Sequence, residues 1–170
     1  MNYTLTRENV GQQLAAIRTR AQALTIGLDE SALNWQPDGA RQWSIAQCLH
    51  HLALTTEMYA QALDVAIDAA PAATPGAPAT PNLLGRLLIW AIEPPVRFGV
   101  PARPELMPPS RHSALAERAL RIDAGRARYA NPLAGDIQSF NVVTGVMVML
   151  AHNHRHLVQA ERVRVLRAAV

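Results

Sequence analysis

Apolar residues recur at steps of three and four along four stretches of this chain, a spacing that is typical of helices with one buried face. The stretches cover residues 6–28, 44–70, 113–129 and about 139–167. None of them shows the alternation of apolar and polar positions that marks a half-buried strand. The pattern therefore predicts an all-α protein with four long helices.

The second of these helices has the clearest start signal. Ser44 can act as its N-cap, and Gln47 stands three residues later, which is the spacing of a capping box. Trp43 comes just before the cap and can pack on Cys48 as a hydrophobic staple. Pro71 cannot continue a helix, so we expect the helix to end before it.

The middle of the chain is rich in proline, because ten of the twelve prolines fall in residues 71–109. Within it, residues 83–92 form one apolar segment that predicts a short helix, which either covers the bundle or packs against a second subunit. A long crossover lets the second and third helices run parallel. The sequence thus predicts one domain, residues 1–170, folded as a four-helix bundle with a long proline-rich crossover between helices 2 and 3.

Composition and charge exclude several classes of function. All 16 basic residues are arginines, but they are scattered along the chain, so a nucleic-acid surface is not expected. The longest apolar stretch, residues 142–151, has about ten residues, whereas a membrane span needs about 20. The single cysteine, Cys48, and the lack of a signal-peptide pattern predict a cytoplasmic protein.

Five of the six histidines fall in two short runs, one in each of two predicted helices. His152 and His156 are four residues apart, so they share a helix face and can reach one metal ion at about 2.0–2.1 Å. His154 points to nearly the opposite side. A third ligand must then come from another helix, and His51 is the better candidate because His50 lies about 100° away around that helix.

Other interpretations of these residues remain open. A histidine in a helix is more often a surface or core residue than a ligand, although buried imidazoles need polar partners. Cys48 stands one turn before His51 and is more often a small buried hydrophobe than a ligand. Gln159 continues the stripe of His152 and His156 and can orient a ligand from outside the metal's first shell.

Two segments resemble motifs of the DinB/YfiT-like superfamily. Residues 43–52, WSIAQCLHHL, resemble its second-helix motif, in which a tryptophan and serine at the helix start precede a histidine–leucine pair two turns later. Residues 152–159, HNHRHLVQ, resemble its last-helix motif of two histidines separated by three residues and followed by a glutamine. The proline-rich middle is similar to the family's long connection between helices 2 and 3.

The resemblance implies a four-helix bundle, often a homodimer, in which three histidines hold a divalent metal such as zinc or nickel. It places the ligands at His51, His152 and His156. Some members of the family are S-transferases or isomerases that use a low-molecular-weight thiol (mycothiol, bacillithiol or glutathione), and others are described as metal-dependent hydrolases. Many carry an acidic residue shortly after the first histidine, where this chain has ALTT at residues 53–56, so the resemblance provides no acid/base residue.

Two functions from different classes follow. Three neutral histidines leave a coordination position open, where a bound water reaches a pKa of about 7 and can hydrolyse a small-molecule substrate. A low-molecular-weight thiol co-substrate can bind there as thiolate instead, which gives an S-transferase. The alternative is a non-catalytic metal- or ligand-binding bundle of a stress response. A fourth ligand from Cys48 or a carboxylate would favour this alternative, and a water or exogenous ligand in an adjoining pocket would favour an enzyme.

Overall fold

The computed structural model describes residues 3–73, 79–95, 128–129 and 140–170. This part of the chain is mostly helical, which confirms the prediction of an all-α protein. Its elements, in chain order, are α1 (Arg7–Thr25), α2 (Glu30–Asn34), α3 (Ile45–Asp68), α4 (Leu83–Ile92), β1 (Arg128–Tyr129), β2 (Phe140–Asn141) and α5 (Val142–Ala168).

Helix α5 lies at the centre of the core. Its first ten residues, 142–151, are buried on every side of the helix, as their continuous apolar character predicts. Asn141 caps the helix, because its side-chain oxygen accepts a hydrogen bond from the backbone N–H of Thr144 at 2.9 Å. Helices α1, α3 and α4 all pack against α5, so α5 fixes the position of every neighbouring helix.

Helix α3 starts with the predicted capping box. The backbone N–H of Gln47 donates to the Ser44 hydroxyl at 3.1 Å, and the backbone N–H of Ser44 donates to the Gln47 side chain at 2.8 Å. Tyr59 and Leu63 lie on its buried face against the core. The helix ends at Asp68, two residues before the predicted limit.

Two short elements were not predicted. Helix α2 has only five residues, too few to show a helical period, and Asp29 caps it by accepting from the backbone N–H of Ala32 at 2.7 Å. Strands β1 and β2 pair antiparallel, with Arg128 opposite Asn141 and Tyr129 opposite Phe140. Each strand has two residues, too few to show the alternation by which a strand is recognised in a sequence.

This strand pair corrects two predicted helix boundaries. The predicted third helix, residues 113–129, lies outside the described residues except at its end, where Arg128–Tyr129 is a strand. Tyr129 and Phe140 are of residue types that favour strands. Because Phe140 and Asn141 pair with β1, the last helix begins at Val142 and not at about residue 139 as predicted. The arrangement of four helices and the crossover stay predictions, because residues 96–127 are not described.

Helix α4 has the predicted bounds and packs closely on α5. A side chain in place of Gly85 would overlap the Thr144 side chain, so the glycine allows the two helices to approach. On its other side Leu83, Leu87 and Trp90 are about half exposed or more, at 77%, 56% and 48%. No described helix is long and apolar enough to cross a membrane.

Candidate metal centre

Three histidines meet where α3 lies against α5. His51 comes from the second turn of α3, and His152 and His156 come from consecutive turns of α5, directly after its most buried half. Their ring centroids lie 5.2 Å apart for His51 and His152, 4.6 Å for His51 and His156, and 4.6 Å for His152 and His156. Helix packing therefore brings together the three residues that the sequence singled out.

The nitrogen atoms of these rings are close enough for one ion to reach all three. One nitrogen from each of His51, His152 and His156 lies within 4.8 Å of the other two. Metal–nitrogen bonds of about 2.0–2.1 Å in a tetrahedral site put ligand atoms about 3.3 Å apart. A bound ion would therefore bring these nitrogens closer together by at most about 1.5 Å.

The other candidate residues lie outside this cluster. His154 points away from it, as its position on α5 predicts, and its Nδ1 lies 3.1 Å from Nη1 of Arg20. The same arginine makes two hydrogen bonds to Glu161, at 2.7 and 2.8 Å. Cys48 and His50 are not in the group of possible ligands either.

Trp43 has a place at the centre that the sequence did not show. Its ring stacks on His156, with centroids 5.6 Å apart and planes 19° from parallel, and it meets His51 edge-on at 4.9 Å. We expected it to pack on Cys48 as a staple. It does adjoin the apolar cluster that contains Cys48, but its ring covers two of the three imidazoles. Only the tertiary packing of α5 against the start of α3 could reveal this contact.

Two of the imidazoles have a polar partner on the ring nitrogen Nδ1. The side-chain oxygen of Gln159 lies 3.0 Å from Nδ1 of His156, the outer-shell position that the sequence predicts for it. The hydroxyl oxygen of Thr55 lies 3.4 Å from Nδ1 of His152. Both contacts leave Nε2 available on His152 and His156.

Comparison with known proteins identifies the family of this chain. The family model described as DinB superfamily matches residues 13–160. The chain belongs to the DinB superfamily. The matched region of this DinB-superfamily protein includes His51, His152 and His156. No curated protein and no solved structure matches the chain.

Burial keeps the three histidines of this DinB-superfamily centre neutral. Desolvation lowers the pKa of His152 well below its usual value, and the neighbouring His156 and His51 lower it further. Desolvation and the charge of His51 together lower the pKa of His156 to about 4. Desolvation also lowers the pKa of His51. Neutral imidazoles offer free lone pairs, so the donor set fits a divalent ion such as zinc or nickel.

Cys48 behaves as the apolar residue that the sequence favours. Its side chain is fully buried, and burial raises the pKa of its thiol to about 12. Its sulfur is not among the atoms that lie close enough to share one ion with His51, His152 and His156. Cys48 therefore contributes packing next to the DinB-superfamily centre.

A cavity of about 420 Å³ opens beside His51. Its wall mixes the apolar surfaces of Trp43, Ala46 and Leu54 with polar groups of Asn34, Gln47 and His50. Small-molecule sites are typically apolar clefts of this size class with a few polar groups that orient the ligand. The DinB-superfamily centre thus combines a possible metal site with space for a ligand next to it.

Proposed function

We propose that this protein is a divalent-metal-dependent enzyme that acts on a small molecule, with the metal held by His51, His152 and His156. The observation that carries the proposal is a group of three mutually close, neutral imidazoles, one of which, His51, lines a cavity of about 420 Å³. Three protein ligands with an open fourth position are typical of catalytic zinc sites, whereas structural sites use four.

The residues of the centre have separate roles in this proposal. His51, His152 and His156 would hold a divalent ion, which would supply a Lewis acid able to lower the pKa of a water or thiol at the open position. Trp43 stacks on His156 and restricts the approach of water to that ring. Asn34 and Gln47 offer hydrogen bonds to a substrate in the cavity, while Leu54 provides apolar contact.

The described residues around the cavity provide no nucleophile of their own. None of the described residues that line the cavity carries a hydroxyl or a thiol, and the thiol of Cys48 is buried and protonated. We therefore propose that the reacting nucleophile is either a low-molecular-weight thiol, which makes the enzyme an S-transferase, or water, which makes it a hydrolase. Both need the same open coordination position.

Cobalt substitution tests the open position and separates these reactions. Protein loaded with Co²⁺ should show a visible spectrum that shifts when glutathione, mycothiol or bacillithiol is added. A shift with acetate or phosphate but with no thiol would favour hydrolysis. A four-coordinate spectrum with protein ligands only, unchanged by any of these compounds, would favour the non-catalytic metal-binding bundle. Co²⁺ added to the His156→Ala variant is the control, because it should give no such spectrum.

We also propose that residues 1–170 form one cytoplasmic domain, a four-helix bundle with a crossover. Two copies form a homodimer through the exposed apolar face of α4. Exposed Leu87 on that face supports this, at 56% exposure. Leu87→Glu should lower the dimer fraction in sedimentation, whereas Val165→Glu, which alters an equally apolar residue 70% exposed on α5, should not. Sedimentation of the unaltered protein as a monomer at micromolar concentration would mean that α4 only covers the bundle.

A further inference from the structure

Thr55 lies at the contact between α3 and α5, one turn after His51. Its side chain is buried, with 1% of its surface exposed. Its hydroxyl donates to the backbone carbonyl of His51 at 2.8 Å, with a longer contact to the carbonyl of Leu52 at 3.3 Å. Both neighbours are acceptors within the same helix, so the single hydrogen of the hydroxyl is committed to them.

Because this hydrogen is already used, the Thr55 hydroxyl can only accept a hydrogen bond from His152. Nδ1 of His152 lies 3.4 Å from Oγ1 of Thr55, on the other helix. With its hydrogen used, Oγ1 presents only lone pairs to that nitrogen. A lone pair on Nδ1 would face them and be repelled, whereas an Nδ1–H would donate to them. The contact therefore favours the tautomer of His152 that carries its hydrogen on Nδ1 and its lone pair on Nε2.

We propose that Thr55 is a positioning residue that selects the Nδ1–H tautomer of His152 and so presents Nε2 to the metal. The tautomer follows from the contacts of Thr55 alone, while its consequence for metal binding rests on the proposed function. A cation on Nε2 makes the Nδ1 hydrogen a stronger donor, so metal binding and the contact with Thr55 strengthen each other. The side-chain oxygen of Gln159 lies 3.0 Å from Nδ1 of His156, so an acceptor stands at Nδ1 of both histidines of α5 and leaves their Nε2 atoms for a metal.

The next residue of α3 provides a matched control. Thr56 is also buried at the contact between α3 and α5, with 2% of its surface exposed. Its hydroxyl oxygen accepts a hydrogen bond from the Asn153 side-chain amide at 3.2 Å and contacts no imidazole of the cluster. Replacing either threonine with valine keeps the shape and removes one inter-helix polar contact. Only the change at Thr55 also removes the acceptor for His152.

Two measurements determine the tautomer of His152 and the affinity for Zn²⁺ independently. Long-range proton–nitrogen correlation spectra of metal-free, ¹⁵N-labelled protein identify which ring nitrogen of His152 carries the hydrogen. Competition with a chromophoric chelator gives the affinity for Zn²⁺. We expect the Nδ1–H form in the unaltered protein and in Thr55→Ser, which keeps the hydroxyl. Thr55→Val should shift His152 towards the Nε2–H form and weaken Zn²⁺ binding about tenfold or more, while Thr56→Val should change neither.

Each outcome decides between the alternatives. An Nε2–H tautomer in the unaltered protein would overturn the proposal without any variant, and so would equal losses of Zn²⁺ affinity in Thr55→Val and Thr56→Val, which would indicate a packing effect. If the unaltered protein binds no Zn²⁺ but shows the Nδ1–H tautomer and loses it in Thr55→Val, the positioning role stands and the proposed metal function fails.

Discussion

Replacing His156 with alanine removes one of the three clustered imidazoles, whereas replacing His154 removes an imidazole from the opposite side of the same helix. His154→Ala loses a contact with Arg20, but that arginine keeps its two hydrogen bonds to Glu161, at 2.7 and 2.8 Å. The two variants therefore differ mainly in whether the cluster is complete. We expect His156→Ala to lose most of the affinity for zinc or nickel and His154→Ala to keep it.

The size of this loss follows from the number of ligands. Structural zinc sites with four ligands bind with about 10–16 kcal/mol, which is about 2.5–4 kcal/mol for each ligand. At about 1.4 kcal/mol per factor of ten, losing one imidazole weakens binding about 60-fold to 700-fold. Trp43 would also lose its stacking partner, since it lies 5.6 Å from the His156 ring. Thermal unfolding of the metal-free variants separates this packing loss from the loss of a ligand.

The assay is chelator competition on protein purified without a histidine tag. Each variant is stripped of metal, titrated with Zn²⁺ or Ni²⁺ in the presence of a chromophoric chelator, and compared with the unaltered protein. Equal loss of affinity in His154→Ala and His156→Ala would contradict the proposed ligand set, because it would show that the metal does not bind on the face of α5 that carries His152 and His156.

Two further predictions concern stability. The pKa of His156 is about 4 in the fold and about 6.5 in the unfolded chain, so between these pH values the unfolded state of the metal-free protein binds more protons. The free energy of unfolding should therefore fall by about 3 kcal/mol as the pH drops from about 6.5 to 4, at 1.36 kcal/mol for each pH unit. Urea unfolding at pH 7.5 and 4.5 measures this loss, and an equal loss in His156→Ala would contradict its origin in His156. Gly85→Ala should destabilise the protein by about 1–3 kcal/mol, because the added methyl group would overlap Thr144. Gly11→Ala should instead stabilise α1 by about 0.5–1 kcal/mol, because nothing lies within 4 Å of the added group. A higher melting temperature for Gly85→Ala than for Gly11→Ala would be inconsistent with the packing of α4 on α5.

Local signals explain what the sequence could predict. The capping box of Ser44 and Gln47 predicts the start of α3, and the apolar run predicts α4 with its observed bounds. Helical periodicity alone puts His152 and His156 on one face and His154 on another. Each of these features depends on residues a few positions apart, so no knowledge of the tertiary fold is needed.

Features that depend on distant contacts could not be predicted. The strand pair joins residue 128 to residue 141, and its two-residue strands have no pattern of their own. The ring of Trp43 contacts the imidazole of His156 because α5, far away in the sequence, packs against the start of α3. Thr55 and His152 are 97 positions apart. Nothing in the residues around Thr55 distinguishes it from an ordinary buried threonine of a helix.

In the proposed centre, three histidines hold one divalent metal and leave one coordination position open. X-ray absorption spectroscopy on untagged protein loaded with zinc, together with its metal content, tests this arrangement. We expect one metal per chain, three imidazole ligands at about 2.0–2.1 Å and one further oxygen or nitrogen neighbour, which is replaced by sulfur when a small thiol is added. A protein that binds no metal, or a sulfur neighbour from Cys48 in the absence of any added thiol, would contradict this arrangement.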